Sequence, residues 1–298
     1  MQGAVYMCDP KKCALCGKKT KLEMSHIVPK MVIRELKKGA AGKIRNTRDP
    51  NKTVQDSEKV ELLCSECEDL FSKKETWFAN NIFYPYLKKE KEEFSYNEKL
   101  TYFIVSVSWR SLYLDILDFV ENTVVGIDAL ERLIKCEGIM RDFLLGKRSD
   151  LENIENHILF FGDVEYVSEG MTDLRPHAIF HRGICSYTIT NEENKTYVTM
   201  TNMLGIMIFS IYAMGKDEQW ENTKIERGNG TIKAGNQGMK SVVANEFERV
   251  MKYTNESCQN MSEAQQKKVI DRIKAKGNEI ENSASYQAIK KDMALKEF

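Results

Sequence analysis

Two cysteine pairs, Cys13-Ala14-Leu15-Cys16 and Cys64-Ser65-Glu66-Cys67, constrain this chain more than any other feature. A two-residue gap lets both thiolates of a tight turn face one ion about 2.3 Å away, and two such turns complete a tetrahedron that suits zinc. The spacing predicts that Cys13, Cys16, Cys64 and Cys67 hold a structural Zn²⁺ and fold the segment between the pairs back on itself. A closed four-sulfur site holds a fold rather than doing chemistry. A redox C-x-x-C and a disulfide are the competing readings. Cys8, Cys136, Cys185 and Cys258 are scattered and read as free thiols.

The first residues, Met1 to Cys8, lack a basic segment followed by an apolar run, so a reducing, cytoplasmic location is expected, which favours zinc thiolates over a disulfide. The one long apolar stretch, Leu100 to Val120, contains Arg110, Asp115 and Asp118, which are costly in a bilayer. It reads as a buried helix, not a membrane span. At 298 residues, 42% apolar and 30% charged, the chain can bury a large core and is neither collagenous nor wholly disordered. Its net charge is zero but unevenly placed: residues 1–60 hold fourteen Lys or Arg against six Asp or Glu, about +8, which leaves the remainder about −8. A basic front end favours phosphate-bearing partners, although a solvated lysine-rich surface would look the same.

The reading is an α+β protein with a zinc-binding segment over 8–80 and a helical, then β-rich, region over 81–298. A short helix is expected at 30–38, ended by Gly39, and the polar stretch from Gly39 to Ser57, with Asp49-Pro50, reads as a loop or insertion. Leu70, Phe71, Trp77 and Phe78 recur at helical spacing after Cys67. Leu100, Phe103, Ile104, Val107, Leu112, Ile116 and Val120 form a core stripe, and Asp128 is placed to cap a second helix running to Gly146. Ile158–Phe161, Ala178–Thr190, Thr196–Thr201 and Leu204–Tyr212 are rich in strand formers, with a turn at Asn191–Asn194, and predict a small antiparallel sheet with flanking helices. The Gly-rich stretch Arg227–Gly238 reads as a hairpin turn, and the charged tail from Ser262 as partly mobile.

Between the cysteine pairs lies Met24-Ser25-His26-Ile27-Val28-Pro29-Lys30, and Glu68-Asp69-Leu70-Phe71 follows the second pair. This arrangement resembles the HNH endonucleases, the ββα-metal family, in the version with a four-cysteine zinc site. The resemblance covers about 65 residues, and implies an N-terminal ββα-metal module that hydrolyses phosphodiester bonds of DNA. By position, His26 matches the general base, which takes a proton from the attacking water. Imidazole suits that task because it titrates near neutral pH. Glu68 falls where the family places a metal-binding histidine, and a carboxylate there is a hard oxygen ligand for Mg²⁺ or Mn²⁺. The chain departs from the family pattern at three positions: Ser25 stands where an aspartate ligand is usual, Lys59 near the usual asparagine, and Glu68 for the last histidine. Asp69 or Glu75 would have to add an oxygen donor, and Glu75, two helical turns on, lies roughly 10 Å from Glu68.

Residues 81–298 are expected to serve oligomerisation, a partner protein or target choice, and the resemblance implies a role in bacterial defence or in mobile elements. The alternative is an adaptor that keeps the zinc and binds nucleic acid or protein without cutting. His177 and His181, four apart, would share one face of a strand and read as a polar sheet face. Trp109-Arg110 and Trp220 are candidates for base stacking, against the simpler reading as core.

Overall fold

The cysteine pairs need chain reversals, and the described part of the N-terminal region supplies them with very short elements. The structure, a computed structural model, describes residues 12–39 and 44–297, so Cys8 lies outside it. Strand β1 (Glu23–His26) runs into helix α1 (Lys30–Gly39), which ends at Gly39 as its sequence indicates. The polar stretch that follows is not a plain loop. It contains an antiparallel hairpin of β2 (Ile44–Asn46) and β3 (Asp49–Val54), and Pro50 is tolerated because the hairpin has only two strands and both are edges. Strand β4 (Lys59–Leu63) returns antiparallel to β1, with His26 opposite Lys59, and leads into helix α2 (Ser65–Phe78).

A π-helical turn (Ala79–Phe83), α3 (Tyr84–Leu87) and β5 (Glu93–Tyr96) lead to the central helix α4 (Glu98–Asn122), N-capped by Asn97, and then α5 (Ile127–Leu144). The helix predicted to start at Asp128 is capped instead at Gly126, and Asp128 falls in its first turn. The α4 stripe is core from Leu100 to Ile116, as its spacing requires, whereas Val120, predicted to continue it, is exposed near the end of the helix. Leu100, Phe103, Ile104, Val107 and Leu112 are all fully buried.

The third region carries β6 (Glu155–Phe160), β7 (Tyr166–Val167), α6 (Pro176–Phe180), β8 (Ile184–Asn191), β9 (Thr196–Met203) and β10 (Ile206–Ala213). Four of these strands form an antiparallel sheet in the order β6-β10-β9-β8, with β9 buried along its whole length. The predicted turn at Asn191–Asn194 joins β8 to β9, while Ala178–Thr190 divides into a helical turn and a strand. One face of the sheet packs on α4: Ser186 Oγ of β8 hydrogen-bonds Ser111 Oγ of α4, and the Thr188 N–H donates to Asp115 of α4 at 2.6 Å.

The remaining strands are β11 (Gln219–Glu221), β12 (Gly230–Lys233) and β13 (Gly238–Lys240), which corrects the hairpin-turn reading of Arg227–Gly238. Strand β12 pairs with the distant β5, and Gly230 is required there because a Cβ would collide with the Tyr96 hydroxyl. The tail from Ser262 is helical rather than loose: α7 (Val243–Gln259) is followed by α8 (Glu263–Lys276) and α9 (Ala284–Ala294), and β14 (Lys296–Glu297) pairs in parallel with β7.

Apolar packing joins the N-terminal elements to the rest. Cys13, Leu15, Leu63, Cys67 and Phe71 share a cluster with Trp109 and Leu112 of α4 and with Tyr197 and Tyr212 of the sheet. Val32, Ile33 and Leu36 of α1 share another with Phe103, Ile158 and Ile208. The β2–β3 hairpin reaches the C-terminal helices, where Asn51 Oδ1 accepts from the Ser262 N–H at 2.8 Å. The architecture is mixed α/β, with small antiparallel sheets around a long central helix. Among the described residues no helix is long and apolar enough to cross a membrane.

Candidate metal centre and the histidine beside it

The first cysteine turn is built by backbone bonds: the Gly17 N–H donates to the Cys13 carbonyl at 2.8 Å, and Gly17 takes the left-handed conformation that closes the turn, φ 74°. The Ala14 N–H donates to the Leu62 carbonyl, which ties this turn to β4. The second pair straddles the start of α2, with Cys64 as its N-cap and Cys67 in its first turn. The four Sγ atoms all lie within 4.8 Å of one another, and Cys13, Cys64 and Cys67 are buried. Cys16 Sγ is 3.8 Å from Cys64 Sγ, far beyond a disulfide bond, and all four thiols are free. A tetrahedron with sulfurs about 2.3 Å from its centre has edges of about 3.8 Å, so the cluster can hold a metal ion such as zinc. The Cys67 thiol pulls the Cys13 pKa down to about 4, while the same contact pushes Cys67 well up and burial raises Cys16, so the closely packed thiols share a proton rather than all ionising together. Lys18 and Glu66, one from each turn, close over it with an exposed ion pair of 2.6 Å.

His26 ends β1 in the β1–β4 strand pair that this cluster anchors. Its Nε2 lies 3.2 Å from Asp56 Oδ1, and the other Asp56 oxygen is 2.9 Å from Lys59 Nζ. Burial opposes ionisation of Asp56, but the hydrogen bond from Lys59 and the His26 charge outweigh it and hold the carboxyl at about 2. An ionised Asp56 can only accept, so Nε2 carries a proton, and in the neutral form of the ring the lone pair is on Nδ1. Sequence reading missed Asp56, since it lies at the end of the polar stretch read as a loop. Its one signal was an acidic residue three positions before Lys59, which pairs with His26 across the ladder.

The other candidate residues divide. Glu68 is half-buried, next to Cys67, and its Oε1 is buried without a hydrogen-bond partner. Ser25 is fully buried, its Oγ also unpartnered. Asp69 is exposed, and Glu75 is taken by an ion pair with Arg110. Trp109 and Arg110 are not free to stack on bases: both are buried, and the Trp109 Nε1–H donates to Glu137 at 2.8 Å. Trp220 packs on Phe209 and His157. Of the basic residues, Lys21, Lys30 and Arg34 are exposed, whereas Lys38 and Lys52 pair with Glu35 and Asp49.

His177 and His181 lie on the helical turn α6 and its C-cap, not on a strand face. The Val164 carbonyl can only accept, so His177 Nε2 is the donor at 3.1 Å. Its Nδ1 then faces the Nε2–H of His181 at 3.4 Å. Burial pushes their pKa values down to about 4 and about 3, so both rings are neutral. The His181 ring packs against Gly162 and Gly205, where a Cβ would come within 2.8 Å and 3.2 Å of it.

No protein-family model, curated protein or solved structure matches this chain.

Proposed function

We propose that the chain is a metal-dependent HNH-type endonuclease, with residues 8–80 as a ββα-metal module and a structural Zn²⁺ on Cys13, Cys16, Cys64 and Cys67. The observation that carries this reading is the bond between His26 and Asp56, 3.2 Å long, at the end of a strand pair anchored by the four-cysteine cluster. A carboxylate on Nε2 orients a histidine as a proton acceptor through Nδ1, the arrangement that general-base catalysis needs. A water attacks phosphorus, its proton passes to Nδ1 of His26, the P–O bond breaks, and the leaving oxygen takes a proton from solvent.

Mg²⁺ or Mn²⁺ would supply charge neutralisation at the phosphate. Glu68 suits such an ion, because an unpartnered buried carboxylate oxygen is relieved by a cation. The exposed Lys21, Lys30 and Arg34 favour a nucleic acid, DNA by the resemblance, as substrate. Residues 81–298 would then carry target choice, a partner protein or self-association, in a cytoplasmic defence role. Purified protein with supercoiled plasmid and Mg²⁺ or Mn²⁺ should give nicked circles. His26→Ala should lower the rate at least about a hundredfold. Equal nicking by the two proteins would remove the base.

A second reading rests on the buried Ser25 and the engaged Glu75, which leave Glu68 few partners for an ion. It makes the chain a zinc-bearing adaptor that binds nucleic acid or protein without cutting. It predicts salt-sensitive binding with no divalent-ion requirement.

A further inference from the structure

Arg110 belongs to α4, outside the segment that resembles the nucleases, yet it touches the proposed base directly. Its Nη1 donates to the main-chain carbonyl of His26 at 2.6 Å. Its Nη2 pairs with Glu75 of α2, and its guanidinium lies 4.9 Å from the centre of the Phe71 ring. The residue is 1% exposed. A buried guanidinium is a costly way to fill a core, since an apolar residue of similar volume would pack there without desolvating a charge. What an arginine adds is a planar fork that fixes two acceptors at once. Here those acceptors are the peptide of His26 and the helix that carries Cys67 and Glu68.

We infer that Arg110 is a positioning residue for His26: α4 fixes the histidine's main chain while Asp56 fixes its ring. The contact stands on geometry alone, and its catalytic consequence rests on the nuclease reading. His26 ends its strand, where the backbone would otherwise be least constrained. The next turn of α4 bonds the four-stranded sheet through Asp115, so the tie also joins the base to the C-terminal region.

The test compares wild-type protein with Arg110→Lys and Glu75→Gln, all metal-loaded, following the His26 ring resonances through a pH titration by NMR alongside plasmid cleavage. Arg110→Lys keeps the charge but not the fork. It should retain its metal, shift and broaden the His26 signals, and lower kcat about tenfold with KM within about twofold. Glu75→Gln should give the same spectral change with a loss of about threefold. His26 signals and titration that superimpose on wild type in both variants would overturn the inference, whatever the activity. If Arg110→Lys loses its metal, Glu75→Gln alone decides by the same spectral criterion. Should wild type and His26→Ala cleave equally, the nuclease reading fails while the spectra still judge the tie.

Discussion

The N-terminal strand pair and the C-terminal sheet solve the same problem by opposite means. β1 and β4 have four and five residues, and a two-stranded ladder of that size does not hold itself in water. It is held from outside, by the cysteine turns at its ends and by Arg110. The sheet of β6, β8, β9 and β10 needs no such clamp. Its four strands bury Val198, Met200, Phe209 and Ile211 on one side and bond their hydroxyls to one another on the other. Candidate chemistry therefore sits where local stability is borrowed, and the self-sufficient sheet supplies the frame.

Removing the metal should separate the two regions most sharply. Cys67→Ser, or chelation, deletes ligand binding that is also folding energy, on the order of 10 kcal/mol for four-ligand zinc sites. Amide exchange should rise to the unfolded rate over 12–26 and 59–67 while β8–β10 stay protected. Loss of protection everywhere at once would break the comparison.

Phe209→Ala should do the converse at smaller cost. The ring is fully buried, 4.9 Å from Trp220, and its truncation should cost about 3–5 kcal/mol in denaturant unfolding while the metal stays bound at low denaturant.

Each buried histidine of the sheet region should weaken it by a smaller amount in acid. Burial lowers His157 to about 4, His177 to about 4 and His181 to about 3. Each folded value lies below the ordinary one of about 6.5, so the unfolded chain binds more protons and stability falls as pH drops from about 6.5 toward 4. The loss should be on the order of 1–2 kcal/mol per ring by pH 5. Asp115 runs the other way. Burial raises it to about 7, so between pH 4 and 7 the folded state holds the extra proton and that group's stabilisation fades as pH rises. Urea midpoints at pH 7 and pH 5 should show the histidines prevailing, and Asp115→Asn should steepen the fall on acidification.

Much of this was legible in the sequence wherever one periodicity or spacing acted alone. The four cysteines, the end of α1 at Gly39, the α4 stripe and the strands β9 and β10 needed only their own residues. What the sequence hid depended on distant partners. The β2–β3 hairpin looked like a loop because its residues are polar, and it is held by Asn51 and Arg45 against Ser262 and Gln265. β12 looked like a turn because its partner β5 lies far away in the chain. His177 and His181 looked like strand residues at the start of a stretch rich in strand formers, although Pro176 at the first helical position signals the turn they occupy. The roles of Asp56 and Arg110 beside His26 were hidden, since a carboxylate in a polar stretch and an arginine in an apolar helix acquire that meaning only when the fold brings them to His26.

X-ray absorption at the zinc edge, on protein purified under reducing conditions, tests the account most directly. Four sulfur neighbours at about 2.3 Å around one zinc per chain are predicted. Oxygen or nitrogen neighbours in place of sulfur, or no zinc, would contradict it.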